Sequence, residues 1–427
     1  MKRRKLMQTI QNNKIQEKIY TEKLSNGLNL MIIPKKTQKK YIIWGVNYGS
    51  IDHKFMVGDK EITVPDGIAH YMEHKLFEQE NGTNSLDVLS SLGVNANAYT
   101  TNNHTAYLFE DNNEKFLEAL DEFMNYVQNP YFTDENVEKE RGIIEQEIMM
   151  YDDYPDWKLY MNAMKAMYHK NPINIDVAGT KETIAKITKD TLYEAYHAFY
   201  RPDKMAIVVC GDFEPEKLIP EIEKRMTLQN ATQNVKRLYE EEPKEIVQKQ
   251  VEAEMNISMP IFMIGYKDEV ACENQIKKDL ALDILFNILI GDSSELYQSL
   301  YEEGLLQSEP TFIYENSQTY SHVLIQGQSE KYDEVIKKIE QGIENLKQNG
   351  IQDEVFDRIK KKLYGEYVKS YNDVGSIATT FIQNYFRNIN PLDYFEEFKG
   401  LDKAYTMQVL EEVFKPERKV VSIVKSK

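Results

Sequence analysis

Cysteine is scarce in this sequence: only Cys210 and Cys272 occur among its 427 residues. Two cysteines cannot form the disulfide framework of a small secreted protein, and they lack the paired spacing of a thiolate metal site. Any metal site must therefore use histidine and carboxylate side chains. The chain has seven histidines for that purpose.

Long apolar runs are also missing. No stretch reaches the length of about 18 apolar residues that could cross a bilayer. The first residues, MKRRKLMQTIQNNKIQEKIY, are basic but continue polar, without the apolar stretch that a secretory signal requires. We therefore expect a cytoplasmic protein with no membrane segment.

Positive charge is in deficit as well. The chain has 69 Asp and Glu against 52 Lys and Arg, a formal net charge of −17. Binding to nucleic acid needs a clustered Lys/Arg surface, whereas this chain would repel a polyanion. Nucleic acid is therefore not an expected partner, and solubility is the simplest explanation of the acidic excess.

The length of the chain fits two domains of about 200 residues each. The segment 226–250 is polar and charged, as an exposed connection between domains is. We predict an N-terminal domain over 1–225, a linker over 226–250 and a C-terminal domain over 251–427. The order of predicted strands and helices in the second domain repeats that of the first, which suggests duplication.

Local patterns predict the fold class. Asn26-Gly27 separates two segments that can pair as a hairpin, and VNANAYTTNNHTAYLFE alternates as paired strands do. Helical periodicity predicts a long helix from near Thr133 to about Tyr151. Strands mixed with segregated helices, without βαβ alternation or a glycine-rich phosphate loop, predict α+β domains.

A shorter helix is predicted in PDGIAHYMEHKLFE, residues 65–78. Asp66 is suited to cap its N-terminus. Ile68, Met72 and Leu76 then form one apolar row that faces the core. This helix contains two of the histidines.

His70 and His74 lie four residues apart on that helix, with Glu73 between them. Residues at this spacing share a helix face, so the two imidazoles can bind one metal ion while the glutamate projects beside them. The order His-x-x-Glu-His is the reverse of that in the commoner zinc peptidases. The reversed order still provides two ligands one helical turn apart and a glutamate beside them. A solvated helix face is the alternative interpretation.

A catalytic zinc needs a third protein ligand and an open position. In EKERGIIEQEIMMY, Glu140 and Glu147 share a helix face with Ile144 and Tyr151. Carboxylates on an apolar face are costly unless they are paired or bind metal. The face is therefore a site candidate, with a structural ion-pair network as the alternative.

The chain resembles the pitrilysin/insulinase-type zinc peptidases, the inverzincins that include the mitochondrial processing peptidase. HYMEH, NANAYTTNNHTAYLF, ERGIIEQE, AGTKETI and FYRPDKMAIVVCGD carry the resemblance across nearly the whole chain. The sequence of the segment PDGIAHYMEHKLFE looks most like that of the bacterial YmfH-type branch. The resemblance implies two homologous domains, each a mainly antiparallel sheet packed by helices, that form a clamshell around a peptide.

The resemblance also implies site residues. One zinc ion per chain would be bound by His70, His74 and Glu147. Glu73 would be the catalytic base, and Glu140 would contact the zinc ligands without binding the ion itself. The implied activity is that of a zinc metalloendopeptidase.

Substrate binding follows from the same resemblance. Asn97 and Ala98 would lie on the edge strand that receives the backbone of a peptide substrate. Main-chain hydrogen bonds supply affinity in strand addition, so the implied substrates are unstructured peptides rather than one sequence.

One segment departs from the family pattern. Active members usually carry an Arg and a Tyr in a segment that here reads SSELYQSLYEEGLLQSE, where Tyr301 and Gln307 stand instead. We expect Tyr301 to pack in the core. The chain then resembles the zinc-bearing partner of a heterodimer whose homologous subunit has the Arg/Tyr pair, although a homodimer is possible. A non-catalytic peptide-binding or scaffold subunit is the second interpretation.

Overall fold

The computed structural model of the chain describes residues 8–12, 15–270 and 272–427, so the basic residues 1–7 considered above lie outside it. The chain forms two compact units. Unit 1 consists of the residues through Ile148 with Asp176–Leu238 and Val368–Pro391, and unit 2 consists of Met149–Ile175, Tyr239–Tyr367 and Leu392–Lys427. The change of unit after Leu238 falls inside the predicted linker. Two other segments lie in the unit opposite to their predicted domain: Met149–Ile175 belongs to unit 2, and Val368–Pro391 belongs to unit 1.

The described strands and helices have the following bounds. The strands are β1 (Gln8–Asn12), β2 (Glu17–Lys23), β3 (Asn29–Pro34), β4 (Lys40–Val46), β5 (Lys54–Val57), β6 (Lys60–Thr63), β7 (Asn95–Thr100), β8 (Thr105–Asp111), β9 (Met205–Gly211), β10 (Val235–Arg237), β11 (Gln250–Met255), β12 (Ile261–Lys267), β13 (Thr311–Asn316), β14 (Ser321–Gln328) and β15 (Lys419–Ser426). The α-helices are α1 (Ile68–Lys75), α2 (Ser85–Ser91), α3 (Phe116–Gln128), α4 (Asp134–Asp152), α5 (Pro155–Met167), α6 (Lys181–Ile184), α7 (Lys189–Phe199), α8 (Pro215–Arg225), α9 (Gln275–Leu289), α10 (Glu295–Glu302), α11 (Tyr332–Asn349), α12 (Asp353–Ser370), α13 (Val374–Phe386), α14 (Tyr394–Gly400) and α15 (Lys403–Val413). None of the described helices is long and apolar enough to span a membrane.

Five strands of the main sheet of unit 1 have the same order as the five strands of the main sheet of unit 2. In unit 1 the strand order is β1-β2-β3-β9-β4-β8-β7, and in unit 2 it is β11-β15-β12-β14-β13. In both sheets one pair is parallel, β3 with β9 and β11 with β15, and the strands that follow are antiparallel. The shared order supports duplication and confirms the predicted α+β fold with two homologous halves.

Each sheet is covered on one face by a helix from a distant part of the sequence. Helix α13 packs on β4 and β9, and helix α5 packs on β12 and β15. A Cβ at Gly45 would lie only 2.6 Å from the Ile382 side chain, and a Cβ at Gly265 would overlap Met167. Glycine at these positions therefore allows close approach of helix and sheet.

Several sequence-predicted elements are confirmed. Strands β2 and β3 form the hairpin at Asn26-Gly27, and β7 and β8 pair antiparallel as the alternation indicates. Helix α4 begins and ends within one residue of its predicted bounds. Part of the segment 226–250 is packed, because β10 pairs with β5. Arg237 in β10 lies 2.7 Å from the buried Asp52 carboxylate.

His104, in the turn between β7 and β8, is buried against aromatic rings. It is 7% exposed and contacts Tyr99 and Phe386. Its Nδ1 lies 3.1 Å from Thr101 Oγ1, while its Nε2 has no hydrogen-bond partner among the described residues. Burial lowers the pKa of His104 from 6.5 to about 4. The folded protein therefore resists protonation of this ring.

Acidification is expected to destabilise unit 1 through His104. The unfolded chain binds a proton near pH 6.5 and the folded chain only near pH 4, so stability is full above the first value and falls towards the second. Between pH 7 and pH 5 this difference contributes about 2 kcal/mol to the loss of unfolding free energy. His104→Gln should remove that part of the loss in urea unfolding at the two pH values.

The exposed His169 offers a matched control, because His169→Gln removes a histidine without removing a buried ring. An undiminished acid-induced loss of stability in His104→Gln would contradict the expectation.

Candidate metal centre

Helix α1 begins in a way that the sequence did not predict. Asp66 does not cap it: its carboxylate lies 2.6 Å from Nδ1 of His53 instead. The N-terminal position is taken by Gly67 with a φ of 89°, where a Cβ would lie 2.4 Å from the Ala178 carbonyl oxygen. The tight approach to the Ala178 backbone thus determines the start of the helix.

The apolar row of α1 is packed as predicted. Ile68, Met72 and Leu76 are all buried in the core of unit 1. The hydroxyl of Tyr71 donates a hydrogen bond to the Val137 carbonyl of α4, which ties the two helices together. His70 and His74, on the same helix, are therefore held at a fixed position relative to α4.

His70, His74 and Glu147 converge. Nε2 of His70 lies 3.6 Å from one Glu147 carboxylate oxygen, and Nε2 of His74 lies 3.5 Å from the other. One donor atom from each residue lies within 4.8 Å of the other two, the one such group of metal-binding side chains found in the described residues.

The spacing of these donors fits a zinc ion. Nitrogen and oxygen ligands stand roughly 2.0–2.2 Å from zinc, so tetrahedral donors are about 3.3 Å apart. The two imidazole-to-carboxylate distances are close to this value. Two neutral imidazoles and one carboxylate are also a donor set that catalytic zinc sites use.

Glu140 is not one of the three converging residues but contacts one of them, His74. It is 6% exposed, and its Oε1 is 3.0 Å from Nδ1 of His74. Burial would raise the pKa of Glu140, but the hydrogen bond from His74 and the charge of Lys75 outweigh it and lower the pKa below its ordinary value. An ionised Glu140 accepts a hydrogen bond from Nδ1–H of His74, which leaves Nε2 of that ring available as a ligand.

Glu73 is buried beside the histidines. It is 8% exposed, and burial raises its pKa against the opposing effect of His70 and His74. Thr100, at the end of β7, donates a hydrogen bond of 2.9 Å to Oε2 of Glu73. A carboxylate in this environment is prepared to take up a proton.

Sequence reasoning did not include Thr100. A signal existed, because alternation in β7 places Thr100 on the same face as Ala98, which packs against the core of unit 1. Helices α1 and α2 both lie against this strand. A polar residue in register with core-facing alanines therefore indicated a side chain directed at the helices that cover this face, of which α1 is one.

Asn97 and Ala98, which the family resemblance implies as substrate-binding residues, lie on β7, the strand at the edge of the sheet. Asn97 is exposed, and its side-chain oxygen accepts a hydrogen bond of 2.9 Å from the Ala98 N–H. The other flank of β7 pairs with β8. The strand therefore has one unpaired edge in the described sheet.

The prediction for Tyr301 is wrong. The side chain is 56% exposed, and Leu300 is the residue of α10 that enters the core of unit 2. Gln307 is exposed as well. Tyr301 lies one position beyond the buried Leu300 and so turns away from the core.

Comparisons with known proteins agree across nearly the whole chain. Residues 60–181 match the model for insulinase, peptidase family M16, and residues 186–363 match the model for the peptidase M16 inactive domain. The uncharacterized zinc protease YmfH of Bacillus subtilis is 35% identical, over 97% of this chain and 98% of its own length. A second Bacillus subtilis protein, the uncharacterized zinc protease YmxG, is 26% identical over 73% of this chain and 76% of its own.

Solved structures give the same result. An M16-like peptidase from Alicyclobacillus acidocaldarius superposes with a TM-score of 0.92 at 30% identity, covering 96% of this chain and 99% of that one. A protease from Helicobacter pylori superposes with a TM-score of 0.82 at 21% identity, covering 98% of this chain and 100% of that one, and shares the fold. By sequence and by structure, the chain belongs to the insulinase (M16) family of peptidases.

Proposed function

We propose that this protein is a zinc-dependent peptidase that cleaves unstructured peptides, and that it is the zinc-bearing subunit of a pair. The convergence of His70, His74 and Glu147, with Glu73 buried beside them, carries the proposal. Relatives that are named zinc proteases support the choice of metal and of reaction class. The proposed location is the cytoplasm, as the sequence predicts.

The roles of the residues follow from their positions. His70, His74 and Glu147 would hold one zinc ion, which when bound supplies a Lewis acid that activates water and polarises a carbonyl. Glu73 takes a proton from the attacking water and passes it to the nitrogen of the leaving amine, so the peptide bond is hydrolysed without net change in the enzyme. The hydrogen bond from Thr100 holds the Glu73 carboxylate in place.

The edge strand β7 would bind the substrate. A peptide added beside Asn97 and Ala98 extends the sheet of unit 1 with main-chain hydrogen bonds. Because these bonds ignore side-chain identity, an extended backbone is the main requirement on the substrate. Unstructured peptides meet this requirement most readily, because their backbone is free to extend.

A non-catalytic peptide-binding or scaffold subunit is the second candidate. The match of residues 186–363 to the inactive domain of the family favours it for the second half of the chain. A scaffold, however, has no need for a buried carboxylate beside three converging metal donors. The zinc site therefore favours the enzyme.

Zinc binding tests the proposal directly. The metal-free chain should bind one zinc ion, lose it to a chelator, and bind it more weakly at acid pH, where protons compete for the imidazoles. Loss of a residue that only hydrogen-bonds to a metal ligand weakens metal binding by about 10–100-fold. Glu147 is a proposed ligand itself, so Glu147→Ala should weaken zinc binding by more than about 100-fold. Titration with zinc under a competing chelator measures both.

Glu145→Ala is the matched control, since it removes a partly exposed glutamate from the same helix outside the donor group. If Glu140→Ala abolished zinc binding while Glu147→Ala did not, the ligand assignment would be wrong. A chain without any affinity for zinc would overturn the proposal itself.

A further inference from the structure

Lys75 is buried in an unusual way. It is the last residue of α1 and is 0% exposed. Lysine normally extends its stem to bring the ammonium into water, and a buried ammonium is costly unless it is paired. The ammonium of Lys75 lies 2.6 Å from Oε2 of Glu78 and 3.5 Å from Oε2 of Glu140.

Glu140 is shared between this lysine and the metal centre. Its Oε2 faces the ammonium of Lys75, and its Oε1 lies 3.0 Å from Nδ1 of His74. His74 and Lys75 are successive residues of α1, so they project in different directions. One carboxylate from α4 contacts both because each of its two oxygens serves a different partner.

We infer that Lys75 is a positioning residue of the metal centre, acting through Glu140. Its ammonium fixes one oxygen of Glu140, and the other oxygen then holds Nδ1 of His74. Nε2 of His74 is thereby kept directed at Glu147, 3.5 Å away. This inference rests on the proposed zinc-binding function and extends it to a residue that does not touch the ion.

The charges in this part of unit 1 favour that role. Glu73, Glu140 and Glu147 together bring three carboxyl groups close to two histidines. Lys75 is a buried cation against Glu140, the carboxyl group that contacts His74 from the side away from Glu147. Without it, Glu140 would be buried beside other acidic groups with only an imidazole to offset its charge.

A purely structural pin between α1 and α4 is the competing role. Glu78 lies closer to the ammonium than Glu140 does, and it also lies 3.6 Å from Lys139 of α4. Such a pin predicts lower thermal stability with unchanged zinc affinity. A positioning residue predicts weaker zinc binding that depends on the presence of Glu140.

The experiment is a zinc titration of the full chain and four variants, paired with thermal unfolding of the metal-free forms. Lys75→Met retains the apolar stem without the charge and should weaken zinc binding by about 10–100-fold, the range for residues that orient a ligand. Glu140→Gln should weaken it to a similar extent. The double variant should bind zinc no more weakly than Glu140→Gln alone, because Lys75 acts through that carboxylate.

Glu78→Gln is the matched control, since it removes the other partner of Lys75 and leaves the contact with Glu140. It should change zinc affinity by less than Lys75→Met does. Should Lys75→Met not fold, the same titration on Lys75→Gln decides.

The outcomes separate this inference from the proposed function. Wild-type zinc affinity in the Lys75 variant, whatever its thermal stability, overturns the inference and leaves the zinc peptidase proposal intact. Additive losses in the double variant overturn the route through Glu140. A wild-type chain that binds no zinc overturns both.

Discussion

Glu73→Gln is expected to abolish peptide hydrolysis while the zinc site stays loaded. The substitution keeps the shape of the side chain and an oxygen that can accept the hydrogen bond from Thr100. It removes the carboxylate that is proposed to take up the proton of the attacking water. A positioned general base contributes about 10²–10⁴-fold to a rate, so hydrolysis should fall by at least that factor.

The same variant should be at least as stable as the wild type. Glu73 is buried, and burial disfavours its charged form. A neutral amide at this position avoids the cost of burying a carboxylate. A loss of hydrolysis together with an unchanged or higher thermal midpoint would show that the effect is chemical and not an unfolding of α1.

The measurement compares zinc content, thermal midpoint and hydrolysis of a fluorogenic peptide, under conditions where the wild-type chain is active. Glu80→Gln, at an exposed position shortly after α1, is the control for loss of a glutamate near the site. Wild-type turnover by the zinc-loaded Glu73→Gln protein would exclude Glu73 as the base. Loss of zinc in this variant would instead make Glu73 a ligand.

The sequence predicted those parts of the site that depend on local periodicity. His70 and His74 are neighbours because any helix through that segment brings them together, and Glu140, Ile144 and Glu147 share a face of α4 for the same reason. The meeting of the two helices is a long-range event. It was available from the family resemblance and not from the spacing.

Features that depend on tertiary packing could not be predicted. The start of α1 is set by the backbone at Ala178, which is distant in sequence, and not by the capping preference of Asp66. The burial of Lys75 depends on two carboxylates, the nearby Glu78 and, from α4, Glu140. No composition rule assigns a lysine to the interior, because its burial is favourable only once the partner is in place.

The exchange of helices between the predicted domains has the same origin. Helices α5 and α13 are amphipathic segments whose sequences do not specify which sheet they cover. Gly45 and Gly265 are the strand residues at which the covering helices approach closely, since the absence of a side chain makes room for the helix. A glycine within a predicted strand is consistent with close approach, but does not identify the element that approaches.

The isolated chain is expected to bind zinc yet hydrolyse peptides slowly, and a homologous subunit with the Arg/Tyr pair should restore the rate. The segment 293–309 has no arginine, and both Tyr301 and Gln307 are exposed on unit 2. In the proposed reaction, His70, His74 and Glu147 would hold the zinc ion and Glu73 would be the base that activates water, but the scissile carbonyl must also be held in reach. Such positioning is worth several kcal/mol, so addition of the partner should raise turnover by about 100-fold or more.

The assay measures hydrolysis of a fluorogenic peptide by the chain alone, by the partner alone and by the mixture. The mixture with Glu73→Gln should remain inactive, because the base and the zinc ligands belong to this chain while the partner supplies only the clamp. Substitution of the partner's arginine should return the mixture to the slow rate of the isolated chain without loss of zinc. Full turnover by the isolated chain, unchanged by the partner, would instead mean that one of its own residues holds the substrate, and the divided site would be abandoned while the zinc peptidase remained.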